Sequence, residues 1–339
     1  MKEHIVRAFL FNCTAAFCFI AASPSAVMAN GNVAPPTDGI PHPFALKYDF
    51  KTIDVPDASG TKAYGINDLG HVVGTFSHPQ IPGQFSLNHG FLLKNGEFTT
   101  IEYPHAPGET PDIAEFAYDI NNQGQIVGSY RMGHGFDYGF RIDGGIFSTI
   151  STSEFDVTAA RGITDAGTII GNFNSTRIPD LHSFMLKNKV FTVVDVPASI
   201  STTAHGINIA EDIVGEYVGS DGKQHGYLSR RGSITVIDRP GAQSTTPYGI
   251  NARGQIVGST FGETAGTHGF LLAKGKYFTI DYPGAVSTEV FGINNRSQVV
   301  GDYQDAEGRT HGFVATPKYR VDTGDDQDGS MLLLPFSRP

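Results

Sequence analysis

Residues 249–259 read GINARGQIVGS, with glycines at positions 249, 254 and 258. Gly249 and Gly254 have the G-x-x-x-x-G spacing of a phosphate-binding loop, but Gln255 and Ile256 stand where that loop needs Lys and Ser or Thr. Asn251-Ala252-Arg253-Gly254 has instead the residues of a type I turn, with Asn first to cap backbone amides and Gly fourth. On either side lie TPYGI and QIVGST, rich in β-branched and aromatic residues. The stretch therefore reads as a hairpin between two strands, with Gly258 small enough for close packing in the second.

The hairpin recurs. Its G-I-N element begins at Gly65, Asp119 (as DIN), Gly162 (as GIT), Gly206, Gly249 and Gly292, in steps of 54, 43, 44, 43 and 43 residues. Eight residues beyond each Ile lies a glycine in an apolar run: Gly74, Gly128, Gly171, Gly215, Gly258 and Gly301. An aromatic follows, usually inside H-G-F: Phe91, Phe140, Phe184, Tyr227, Phe270 and Phe313. Ile101, Ile150, Val194, Ile237 and Ile280 close a further short run ten residues after the first five of these. Periods of about 40–45 residues suit one propeller blade. In the fifth unit the four strands are TPYGIN, QIVGST, HGFLLA and KYFTID, and no unit has an amphipathic helix pattern.

The ends predict how the ring closes. FKTIDVP at 50–56 matches FTIDYP at 278–283, and Ile53 precedes Gly65 by the same 12 residues that separate Ile280 from Gly292. After Phe313 there is no good fourth strand. The expected fold is thus all-β: a six-bladed β-propeller with four antiparallel strands per blade, closed by an N-terminal strand that leaves no long open edge. The propeller is expected over residues 44–316, with flexible segments at 30–43 and, as an acidic tail, at 317–339.

Composition bounds the partners. The 339 residues are 40% hydrophobic and 17% charged, with 41 glycines and a net charge of −10. This is not the composition of a disordered chain. The 24 Lys and Arg are scattered, which excludes a basic face for nucleic acid. Residues 1–29 read as a secretory signal peptide: Lys2 and Arg7, then the short apolar run AFLFNCTAAFCFIAA, then Val27-Met28-Ala29 before a cut. The run is too short for a membrane-spanning helix. The expected product is secreted, to the periplasm or beyond, with no transmembrane anchor in the mature chain. Cleavage removes both cysteines, Cys13 and Cys18, so neither disulfide nor thiolate chemistry is expected.

The units H-G-F-L-L, F-T-x-I-D-x-P-G-A and G-I-N-x-x-G-Q-I-V-G, over about residues 50–316, resemble the HAF-type extracellular repeat proteins of bacteria. The resemblance implies a secreted repeat protein with a propeller fold, in a family without a settled activity.

Internal repetition sorts architecture from site, because a residue present in every blade serves the blade. On this ground His89, His182, His225, His268 and His311 are expected to hydrogen-bond and pack within their own blades. Set on third strands, about 10 Å outside the inner ones, they diverge too far to share a metal ion. Asp54, Glu102, Asp195, Asp238 and Asp281 are expected to cap the following turn, and Asn67, Asn121, Asn208, Asn251 and Asn294 to form turns.

Two spacings break the pattern. Gly74 to Phe91 is 17 residues instead of 12 or 13, and Ile101 to Asp119 is 18 instead of 12. In a four-stranded meander both insertions leave the same face of one blade. They carry His78, Gln84, His105, Glu109, Asp112 and Glu115, and the neighbouring loop adds Arg131, His134 and Asp137. Binding commonly resides in such loops, and imidazoles with carboxylates suit polar ligands or a divalent cation. None of H-E-x-x-H, G-x-S-x-G or G-K-[ST] occurs.

The expectation is a monomeric, non-catalytic propeller binding an extracellular glycan or protein through this face, with no cofactor beyond a divalent cation. Two alternatives stand beside it: a metal-assisted hydrolase or lyase on a glycan or lactone, and a structural surface or matrix component.

Overall fold

The computed structural model describes residues 47–78, 88–104, 114–132, 136–150, 157–174, 180–262 and 266–318. These form 24 strands and no helix. Strand β1 is Lys47–Ile53. The first blade comprises β2 Gly60–Ile66, β3 Val72–Ser77, β4 Asn88–Lys94 and β5 Glu97–Ile101. The second has β6 Ala114–Ile120, β7 Ile126–Met132, β8 Phe136–Asp143 and β9 Ile146–Ile150. The third has β10 Val157–Ile163, β11 Ile169–Asn174, β12 His182–Lys187 and β13 Val190–Val193. The fourth has β14 Ser201–Ile207, β15 Ile213–Val218, β16 Gln224–Arg230 and β17 Ser233–Val236. The fifth has β18 Ser244–Ile250, β19 Ile256–Phe261, β20 Thr267–Ala273 and β21 Lys276–Ile280. The last is built from β22 Ser287–Ile293, β23 Val299–Gln304, β24 Thr310–Lys318 and β1.

Each blade is an antiparallel meander, and the six sheets make the expected six-bladed propeller. β1 closes it, pairing along β24 from Lys47↔Lys318 to Ile53↔Gly312. β24 runs to Lys318, two residues past the expected end of the propeller. Of the expected flexible segments, 30–43 and 319–339 lie outside the described residues, as does the signal sequence.

The core lies between blades. Val214, Leu228 and Ile237 of the fourth blade pack against Ile250, Ile256 and Phe270 of the fifth, and equivalent clusters recur around the ring. Gly258 sits where a Cβ would strike the Thr246 carbonyl and lie 2.8 Å from the Phe270 ring. Gly254 adopts φ 71°, the left-handed turn geometry that an L side chain disfavours.

One irregularity repeats six times. Every inner strand carries a bulge, between Ala63 and Gly65, Ala117 and Asp119, Ala160 and Gly162, Ala204 and Gly206, Pro247 and Gly249, and Val290 and Gly292. The skipped residues are Tyr64, Tyr118, Arg161, His205, Tyr248 and Phe291. A bulge bends the strand, and all six residues line one cavity on the propeller axis.

Candidate functional site

The repeated polar residues do serve the blades. His182, His225, His268 and His311 each place Nδ1 2.6–2.9 Å from the carboxylate of Asp195, Asp238, Asp281 and Asp54. These acids differ from expectation in what they cap. Asp195 and Asp238 accept from the third-strand amides of Ser183 and Gly226. The turn amide that follows the fourth strand goes instead to a threonine of the next inner strand, as in Val196 N to Thr202 Oγ1 at 3.0 Å. The acid faces back across its own hairpin, so the adjacent third strand is its nearest source of donors.

The asparagines do more than form turns. Asn251 Oδ1 accepts from the amides of Arg253 and Gln255, while its Nδ2 donates to the Asn294 carbonyl in the next blade at 3.1 Å. Asn67 to Asn121, Asn121 to Thr164, Asn208 to Asn251 and Asn294 to Asn67 continue the belt. The step from Thr164 to Asn208 is missing, because threonine has no amide to donate.

Of the nine residues singled out on the insertions, Gln84, His105, Glu109, Asp112 and His134 lie outside the described residues. The other four fall into two groups on adjacent blades. The His78 ring packs at 5.6 Å on His89, whose Nδ1 is 3.5 Å from Glu115 Oε2. Glu115 is only 4% exposed and also accepts from Tyr103 N. It takes the place at His89 that the fourth-strand acid fills in other blades, and its proximity raises the His89 pKa against the effect of burial. Arg131 and Asp137 form a two-bond fork at 2.7 and 2.9 Å across the β7–β8 pair. The Arg131–Asp137 pair is satisfied internally, whereas Glu115 Oε2 is buried without a hydrogen bond beside His89. The nine-residue expectation thus includes at least one buried carboxylate.

The residues that break the symmetry most sharply lie in the channel. Tyr118, Tyr64, Phe291, Tyr248 and His205 make an arc of rings, with successive centroids 5.6, 5.0, 5.0 and 4.9 Å apart. Arg161 completes the circle with its guanidinium 4.1 Å above the Tyr118 ring, a cation–π contact. Together with the isoleucines of the G-I-N elements they enclose a chamber of about 60 Å³. Beyond the isoleucines, at the face of the G-I-N turns, lies a bowl of about 160 Å³ lined by the asparagine belt and by Asp68, Asn122, Asp165 and Asn295. Asn122 bridges the two carboxylates, donating to Asp68 at 3.1 Å and to Asp165 at 2.9 Å.

Two residues earlier on each inner strand, the other mouth of the channel is reached. It carries Lys62, Phe116, Ala159, Thr203, Thr246 and Glu289. The inner strands begin here, at the same end of the blades as the end of β3 and the start of β6, the strand ends next to the two insertions. Lys62 Nζ stands 3.4 Å from Asp302 and 3.8 Å from Glu289. Glu216 accepts from Thr246 Oγ1 at 2.9 Å and from Gln224, and lies 3.9 Å from His205 Nε2. Burial raises the Glu216 carboxyl, but His205, Thr246 and the Arg161 charge overcome it and leave the group below its ordinary value. Burial likewise raises Tyr64 and Tyr248, which keep their phenolic protons.

Asp302 behaves differently. Burial pushes its carboxyl up to about 7, with Lys62 opposing and Glu289 adding to the rise. A folded pKa above the unfolded value near 3.9 means that the folded state holds more protons between those limits. Its contribution to stability therefore falls as pH rises from about 4 to 7. Asp302→Asn is expected to stabilise at pH 8 by about 2 kcal/mol, to have little effect at pH 5, and to flatten that part of the profile. Chemical denaturation at the two pH values checks it. Equal effects at both would show that Asp302 is ionised throughout.

No family model matches the sequence, and no curated protein matches it. Three solved structures are similar to this chain at low identity. The fucose-binding lectin of Aleuria aurantia (N224Q mutant, with Fucα1-6GlcNAc) is 13% identical, with a TM-score of 0.47, covering 82% of this chain and 99% of the lectin. A triple mutant of AofleA from Arthrobotrys oligospora is 11% identical, with a TM-score of 0.49 and coverages of 79% and 86%. The propeller domain of the Trilobed protease of Pyrococcus furiosus is 12% identical, with a TM-score of 0.45 and coverages of 81% and 99%. The architecture rests on the chain's own six four-stranded sheets, which make it a six-bladed β-propeller.

Proposed function

We propose that this protein is a non-catalytic binding propeller that takes a hydroxyl-rich partner, a glycan, at the channel mouth on the face of the two insertions. One observation carries the reading: the six-fold repeat is broken most sharply at the residues that line this end of the channel. Lys62, Glu289, Glu216, Thr246 and Gln224 offer donors and acceptors at short spacing there. The neighbouring aromatic faces suit the apolar C–H surface of a sugar, while the polar groups fix its orientation. Secretion through residues 1–29 and membership of the HAF-type group belong to the same reading.

Glycan-array binding by residues 30–339 tests it. A signal is expected that falls at least tenfold in the double variant Lys62→Ala, Glu289→Ala and is weakened by deleting residues 105–111. If neither change alters the signal, the site lies elsewhere on the molecule. No signal on any glycan would leave a protein partner as the better reading.

A further inference from the structure

The axial chamber holds a guanidinium that no carboxylate among the described residues reaches with a hydrogen bond or ion pair, although its charge is felt at Glu216. Arg161 Nε is buried and makes no hydrogen bond, and among the described residues Arg161 forms no ion pair. Its guanidinium lies 4.1 Å over the Tyr118 face. His205 Nε2, which lines the same chamber, is also buried without a hydrogen-bond partner, since 3.9 Å to Glu216 is too long. Of the carboxylates nearby, Glu216 is hydrogen-bonded by Thr246 and Gln224, while Asp302 and Glu289 lie 3.4 and 3.8 Å from Lys62 rather than against Arg161. Arg161 is half-buried, and a desolvated donor such as its Nε is costly to leave unpaired, as is the buried Nε2 of His205.

We propose that this chamber receives a carboxylate group, held by Arg161 and His205. Size and shape support the choice. About 60 Å³ accommodates a few water molecules or one small planar anion, and not a sugar ring. A planar guanidinium matches a planar carboxylate. Tyr64 and Tyr248 keep their hydroxyl protons and are further donors on the wall. The ring faces lower the local polarity, which strengthens each of these bonds. The carboxylate belongs either to a small free acid or to an acidic sugar. In the second case the proposal rests on the glycan reading and narrows it to uronate-bearing chains.

Calorimetry on the intact mature protein separates these cases, using sodium acetate, oligogalacturonate and neutral oligogalactose at constant ionic strength. Acetate or oligogalacturonate is expected to bind, with Arg161→Gln and His205→Gln each weakening it at least tenfold. The His205 ring resonances should titrate at higher pH when the ligand is present, because an added anion favours the imidazolium. Acetate binding without oligogalacturonate binding places a free acid in the chamber. Equal affinity for neutral and acidic oligomers overturns the carboxylate proposal while leaving the glycan reading intact. Absence of binding by both acids overturns it outright. Should Arg161→Gln fail to fold, the His205 titration with and without acetate in the unaltered protein decides the matter.

Discussion

Replacing Phe270 with alanine is expected to lower stability by about 3–5 kcal/mol, as for other fully buried phenylalanines. The ring has no exposed surface and packs among Val214, Leu228 and Ile237 of the preceding blade and Ile250 and Ile256 of its own. Tyr277 meets it edge-on at 5.4 Å. Beneath it lies Gly258, which has no side chain to move into the vacated space. The walls on both sides are strands in hydrogen-bonded sheets, so the cavity cannot collapse cheaply. Urea unfolding measures the loss. Val236→Ala is the control: this residue is 51% exposed on the outer strand β17, and its change should stay within about 0.5 kcal/mol. A loss below about 1 kcal/mol for Phe270→Ala would contradict packing between blades as the source of the core.

The architecture is legible because its determinants are local and repeated. N-x-x-G marks a turn within four residues, strand chemistry lies on either side, and a spacing near 43 residues counts the blades. Ring closure follows from one further comparison, Ile53 to Gly65 against Ile280 to Gly292. The candidate site is less legible for a physical reason. Alternation puts the residue before the G-I-N glycine on the same face as the residue two earlier, but that this face lines an axial channel depends on how the six blades close around it. The signal was present as identity rather than spacing: Tyr64, Tyr118, Arg161, His205, Tyr248 and Phe291 vary inside an otherwise regular unit. Searching for irregular loop lengths finds the insertions and passes over this variation. Glu115 illustrates the converse. It falls within an insertion by count, yet it belongs to β6 and is buried against His89. The asparagines are read correctly at short range, through amides two and four residues on. The carbonyl that each side-chain amide meets lies a whole blade away and is visible only in the closed ring.

That belt supplies the second large effect, and the natural gap in it supplies the sign test. Asn251→Ala removes the acceptor for the Arg253 and Gln255 amides and the donor to the Asn294 carbonyl. The site is buried, so water replaces little of what is lost, and a cost of about 2–4 kcal/mol is expected. Thr164 occupies the equivalent place in the third blade. Its hydroxyl accepts from Thr168 N at 3.1 Å, which preserves the turn, but it extends no bond to the next blade. Among the described residues the Asn208 carbonyl accepts only from Glu211 N, inside its own turn. Thr164→Asn restores the missing donor while its Oδ1 can take over the Thr168 amide, as Asn251 Oδ1 does for Gln255. It should stabilise by about 0.5–1.5 kcal/mol, and Asn251→Thr should cost less than Asn251→Ala because the turn bond survives. Denaturant midpoints of the three variants, with hydrogen exchange at the Gln255 amide, measure the series. If Thr164→Asn destabilises while Asn251→Ala is nearly neutral, the belt is a consequence of ring closure. The opposite signs make it one of the interactions that hold the ring closed.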